Sequence, residues 1–188
     1  MLNKNSLQGL LIALFIGLIS FFIYKFYIEK NDEFLLDNPN KEEIKVLVNG
    51  KSYLLAGGQS LSIPVNSGKN TISCQNKQGN IILKDTFFII TKNKRGLINP
   101  SLATYFTFKR YYGHIKNRDS IYRAHRKNID GKEFLGEIGE YNQLVIQDFY
   151  YNINQNFPKI INKVDSIESR IKLFRKNQFL EFYRSTFE

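Results

Sequence analysis

From Asn5 to Tyr24 the chain runs for twenty residues without a charge, and LQGLLIALFIGLISFFIY is the apolar part of that run. Twenty helical residues rise about 30 Å, the thickness of a bilayer's hydrocarbon core, and backbone amides in hydrocarbon are satisfied by a lone segment only if it is helical. The run therefore predicts one membrane helix over residues 5–28, behind a short head, residues 1–4. Tyr24 and Tyr27 beside Lys25 and Lys30 fit an interfacial collar. The sequence YKFYIEKND that follows has no small-x-small cleavage site, so an uncleaved anchor is expected over a removed signal peptide. Gly9, Ala13 and Gly17 would suit either the close approach of a second helix or a lipid-facing surface.

Orientation follows less directly. Lys25, Lys30 and Lys41 outnumber Lys4 and the terminal amine, which by count alone keeps the following domain inside. Against this, a short head usually stays cytoplasmic, and Glu29, Asp32, Glu33 and Asp37 leave the distal flank near neutral. The expectation is a single-pass membrane protein with the lipid bilayer as its first partner and its globular domain on the exported side.

Residues 29–42, with mixed charge and Asn38-Pro39-Asn40, read as a tether, and residues 43–188 as one β-rich globular domain. Within it, 43–110 is the sandwich-like part, 111–157 a basic hairpin region and strand, and 158–188 a helical end. Ile44, Val46 and Val48 alternate up to Asn49-Gly50, and a new run, 52–55, starts at once. Asn-Gly between alternating runs predicts a type I′ hairpin, since both residues tolerate positive φ. Leu61, Ile63 and Val65, then Ile72 and Cys74, predict two more strands about Asn66-Ser67-Gly68. Residues 81–91 are apolar on both faces, as a central strand would be.

Further strands are expected over 104–108, 121–129, 132–140 and 143–153, with Asp130-Gly131 as a second tight turn. After Pro158 the period changes. Ile160, Val164, Ile167, Ile171 and Phe174 recur at three and four residues, the stripe of a helix docked on the sheet, and Phe179, Leu180, Phe182 and Tyr183 prolong or restart it. The predicted fold class is thus mainly β, an antiparallel sandwich-like domain with a C-terminal helix packed on it and an N-terminal transmembrane helix.

The stretch from Ile44 to Asp85 resembles the PEGA-type and carboxypeptidase-regulatory-like β-sandwiches through Val46, Val48, Gly50, Ile63, Val65, Gly68 and Ile72. The usual Pro before the second strand is replaced by Ala56-Gly57-Gly58. The resemblance implies a surface-exposed, non-catalytic sandwich and brings no catalytic residue with it.

Little in the chain has the spacing that chemistry needs. The one cysteine, Cys74, excludes an internal disulfide and a thiolate metal cluster, and its phase with Ile72 places it inward, as a buried core thiol. Ser67-Gly68-Lys69-Asn70-Thr71 lacks a phosphate loop's leading Gly and its Ser or Thr directly after Lys, so it reads as a strand turn. His114 and His125 have no ligand spacing with each other or with Asp119. Glu133, Glu137 and Glu140 invite comparison with the carboxylate pair of a glycan-acting enzyme. A two-residue turn at Asp130-Gly131, however, sets Asn128 opposite Glu133 and Ala124 opposite Glu137. Arg126 then lies diagonally between Glu133 and Glu137 as a structural cross-strand partner.

Charge is concentrated. Of a net +10, residues 92–127 carry ten Lys or Arg against the single acid Asp119. Within this stretch Lys109, Arg110, Lys116, Arg118 and Arg123 are the candidate contacts for an anionic lipid or envelope polymer, with Tyr111 and Tyr112 placed to stack on rings. No recognised nucleic-acid motif accompanies the charge, so nucleic acid is not the expected partner. The sequence thus points to a non-enzymatic interaction or scaffold module of a bacterial-type cell envelope, needing no cofactor and meeting an envelope protein partner. The alternatives are an anionic-surface binder and, behind it, a glycan-acting enzyme.

Overall fold

The computed structural model describes residues 4–24, 33–91, 95–113, 118–159 and 168–188. Helix α1 spans Lys4–Ile23, 20 residues. Among the described residues no helix is long and apolar enough to cross a membrane. This overturns the single-pass anchor over residues 5–28, the transmembrane part of the predicted fold class and the membrane localisation with an exported domain. The anchor needs an unbroken apolar length of about 30 Å. The end of the expected span and its collar residues Lys25, Tyr27 and Lys30 lie outside the described residues. The envelope setting rested on the anchor and loses that support.

The rest is mainly β. Strands β1 (Glu33–Asp37), β2 (Ile44–Val48), β3 (Lys51–Leu55), β4 (Ser60–Pro64), β5 (Gly68–Asn76), β6 (Ile81–Ile90) and β7 (Gly96–Ile98) build most of two sheets. One has the order β3-β2-β5-β6 and is antiparallel throughout. In the other, β1 lies between β4, antiparallel to it, and β7, parallel to it, with β12 (Val145–Ile146) beyond β7. Both inner faces feed one aliphatic core: Ile44, Val46, Val48, Ile72 and Cys74 from the first sheet meet Phe34, Leu36, Ile63 and Ile98 from the second. That is a sandwich-like packing, and burial alternates along β2 as the pleat requires. The β2–β3 turn is the predicted one, with Asn49 and Gly50 at φ 51° and 78°.

Two readings of this half are corrected. Residues 33–37, read as tether, form β1, a strand with neighbours on both sides in its sheet. Phe34, Leu36 and Asp37 are fully or almost fully buried in it, which the nearby charges concealed. Strand β6, read as central, is an edge: among the described residues it pairs with β5 alone. Its second apolar face, Phe87 and Ile89, is exposed rather than covered.

The second half is organised around β8 (Tyr105–Tyr112), which lies between β11 (Ile138–Tyr141) and β13 (Glu168–Arg175). The short helix α2 (Arg118–Arg123), the hairpin β9 (Arg126–Ile129) and β10 (Lys132–Leu135), and helix α3 (Lys176–Phe187) complete it. Its core is aromatic. Phe106, Phe108, Tyr122, Phe134, Phe174, Phe179 and Tyr183 pack together, with ring centroids 4.8–6.1 Å apart along the chain of contacts. Asp130-Gly131 turns the hairpin at φ 51° and 81°.

Several predicted elements differ here. Residues 118–123 are helix α2, so the strand expected over 121–129 begins only at Arg126. The strand expected over 132–140 breaks at Gly136, whose φ of 117° admits no ordinary side chain and whose Cβ would stand 2.7 Å from the Phe108 ring. Of the strand expected over 143–153 only Val145–Ile146 is regular. The helix expected after Pro158 starts at Lys176, because 168–175 is strand β13 paired along the length of β8. Ile171 and Phe174 fit a helical stripe by spacing, but in a strand an odd separation sends them to opposite faces. Ile160, Val164 and Ile167 lie outside the described residues.

A third cluster, Leu97, Tyr105, Ile146, Ile153 and Leu173, joins the two halves. Beside it sits a buried polar clasp. The Asp37 carboxylate, fully buried, accepts from Tyr105 Oη at 2.5 Å and from Arg175 Nε at 2.9 Å, and Arg175 Nη2 pairs with its other oxygen.

Candidate functional site

The basic stretch converges on an open groove of about 370 Å³ lined by Lys109, His125, Arg126, Lys127, Glu137 and Tyr141 among others. Strand β8 presents Lys109 and Tyr111 on one face, two residues apart. Both reach Glu137 in the β10–β11 connection: Lys109 Nζ at 2.9 Å from one carboxylate oxygen, Tyr111 Oη donating to the other. His125 Nε2 stands 3.9 Å from that second oxygen. The backbone locks the arrangement, since Lys109 N–H donates to the Glu137 carbonyl at 3.1 Å and Gly136 N–H to the His125 carbonyl at 2.9 Å.

The hairpin register sets Asn128 opposite Glu133, and Arg126 Nη1 lies 2.9 Å from the Glu133 carboxylate. Both side chains are more than half exposed, so the pair is a surface one. Ala124 does not face Glu137, because the hairpin pairing ends at Arg126 and Leu135. The cation on Glu137 is Lys109. Lys127 Nζ pairs with Glu140 at 2.8 Å. Each of the three acids considered as a catalytic pair is thus taken by its own cation.

The remaining cations are dispersed. Arg110 lies over the rings of Tyr112 and Phe157, 5.5 and 5.8 Å from their centroids. Arg118 opens α2, and Arg123 ends it exposed to solvent. Lys92, Lys94, His114 and Lys116 lie outside the described residues. The groove therefore brings together Lys109, Arg126 and Glu137 of the predicted set and leaves out Arg110 and Arg123. Three Glu residues partner three of its cations, which accounts for much of the local charge.

Buried groups escaped the sequence reading. Tyr105 is held far above its ordinary pKa by burial first, then by the Asp37 charge and the hydrogen bond to it, with Arg175 opposing. Arg175 is raised by its hydrogen bond to Asp37. Lys172 is also buried, 4.4 Å from the Phe174 ring centroid, and burial lowers its pKa. Only the alternation of Phe34 and Leu36 in front of Asp37 signalled any of this. Cys74 is fully buried, where its phase put it, and burial pushes its thiol up to about 11.

The uncovered apolar surface lies elsewhere. Every described side chain from Ile12 to Phe22 is exposed, and Ile12, Leu14, Phe15, Ile16, Leu18, Ile19, Phe21 and Phe22 point to all sides of α1. No protein-family model, curated protein sequence or solved structure matches the chain.

Proposed function

We propose that the chain is a non-enzymatic interaction module in which α1 is the element a protein partner covers and the β-rich body is the scaffold that carries it. The observation behind this reading is the run from Ile12 to Phe22, apolar around the helix and exposed along its length. A helix apolar all round belongs in an interior. The described residues of this chain give it none, so the interior is supplied from outside. The turn grammar of residues 44–85, similar to that of non-catalytic sandwich modules, favours the same class.

The test is crosslinking in cells followed by co-purification in mild detergent, with the wild type beside a Phe15→Asp, Leu18→Asp variant. The reading expects a stoichiometric partner with the wild type and its loss from the variant, whose thermal melt stays unchanged. Equal recovery of the same partner by both proteins would remove α1 from the interaction.

A further inference from the structure

Strand β6 ends its sheet, and among the described residues nothing pairs with its outer side. It is ten residues long, contains no proline, and leaves Ile81, Ile82, Phe87 and Ile89 between 39% and 61% exposed. A long apolar edge with unpaired N–H and C=O groups is a template for another strand. Its only charges are Lys84 and Asp85, adjacent and opposite in sign at its middle.

We propose that β6 joins two copies of this chain, its edge pairing antiparallel with the same edge of the second copy about a two-fold axis between Lys84 and Asp85. The pairing sets Lys84 opposite Asp85 of the second copy and Leu83 opposite its Thr86; a second irregularity, between the Cys74–Leu83 and Gln75–Ile81 pairs, ends the regular register at Ile82. Two-fold symmetry makes each of these contacts twice, so the ion pair is doubled without any further residue.

An ordinary strand could not do this. Residues facing each other across a sheet must point to the same side, and a two-fold axis between adjacent residues of a regular strand would oppose an up residue to a down one. Strand β6 is irregular at that place. Thr86 pairs with Ile72 and Leu83 with Cys74, so Lys84 and Asp85 together stand against Ser73 alone. This bulge returns Leu83 and Thr86 to the same inward side, since their partners Cys74 and Ile72 both face the core. The extra residue supplies the half-step that the register needs. The proposal stands on β6 and is independent of α1.

The test uses the full chain in a mild non-ionic detergent that keeps α1 dispersed, at low salt, with sedimentation velocity across a concentration series. The wild type should dimerise. Lys84→Asp and Asp85→Lys each place like charges opposite one another twice, and should raise the dimer dissociation constant about tenfold or more. The double swap K84D/D85K rebuilds the pair with its sign reversed and should return the constant to near the wild-type value. Thermal melts run alongside establish that each variant is folded. Where one is not, Lys84→Ala and Asp85→Ala take its place and should each weaken the dimer about threefold. A wild type monomeric at every concentration, single reversals that dimerise as the wild type does, or a double swap no better than the singles would each overturn the proposal.

Discussion

The sandwich half and the aromatic half solve the same problem with different materials. Between the sheet of β12, β7, β1 and β4 and the sheet of β3, β2, β5 and β6 the core is largely aliphatic, and buried polar side chains there serve the turns: Asn38 Nδ2 donates to the carbonyls of Glu42, Leu55 and Ala56, and Asn70 Nδ2 to those of Asn66 and Gly68. Around β8 the core is built of rings, and polar order comes from ion pairs between neighbouring strands and loops, Lys109–Glu137 and Lys127–Glu140 among them. An aliphatic sandwich is specified by alternation and tight turns, both local. An aromatic core needs a helix laid over a sheet, and its parts come from β8, β10, β13 and α3, far apart in sequence. The Asp37–Tyr105–Arg175 clasp belongs to both halves, since it ties β1 to β8 and to the start of α3.

The comparison breaks most directly at that clasp. Asp37→Ala leaves a partly buried guanidinium and a buried phenol without their acceptor, and should cost about 3 kcal/mol in urea unfolding. If the halves are one cooperative unit, fluorescence and circular dichroism transitions will move together. If the clasp alone couples them, the two probes will separate in the variant.

Alkaline titration addresses the aliphatic side. A thiol whose folded pKa is raised contributes stability that is whole below its unfolded value and is lost as pH rises, because the unfolded chain releases its proton first. For Cys74 the loss should run from about pH 9 to about pH 11 and amount to about 2–3 kcal/mol. Tyr105, raised as well, adds to the fall in the wild type. The Cys74→Ala variant should therefore show a shallower decline in its urea midpoint between pH 8 and 11. Parallel declines in the two proteins would show that the thiol is not the group titrating.

The ring-lined half is sharpened by two charge variants that sequence spacing ranks the wrong way round. Arg126 has the register of a structural cation, but its pair with Glu133 is exposed, while Lys109 meets Glu137 with both side chains 30% exposed and Tyr111 on the same carboxylate. Lys109→Glu should lower stability by about 1–2 kcal/mol, read as a shift in the thermal or urea midpoint. Arg126→Ala should cost under about 0.5 kcal/mol by the same measurement. A larger loss from Arg126 would place the anchoring ion pair in the hairpin rather than on β8.

What the sequence determined by itself is what short-range stereochemistry controls. Asn49-Gly50 and Asp130-Gly131 turn where they were expected to, because positive φ is a property of those residues. Alternation put Ile44, Val46, Val48, Ile72 and Cys74 inward, because a pleat has a period of two. The basic stretch was legible as composition, and Arg126 with Glu133 as a cross-strand pair, but not the pairing of Lys109 with Glu137 or of Lys127 with Glu140. Whether two side chains meet depends on strand register and on where each element ends, and Gly136 ended one early. Only the tertiary structure made β1 an interior strand, since its parallel pairing with β7 spans about sixty residues that no local pattern connects. Only it made 168–175 a strand, because β8 offered a full-length partner to a segment whose spacing also suited a helix. And only it left β6 with an outer edge that no described residue pairs with: an apolar strand reads alike whether its outer side is covered or open, and the difference lies in neighbours the strand itself does not encode.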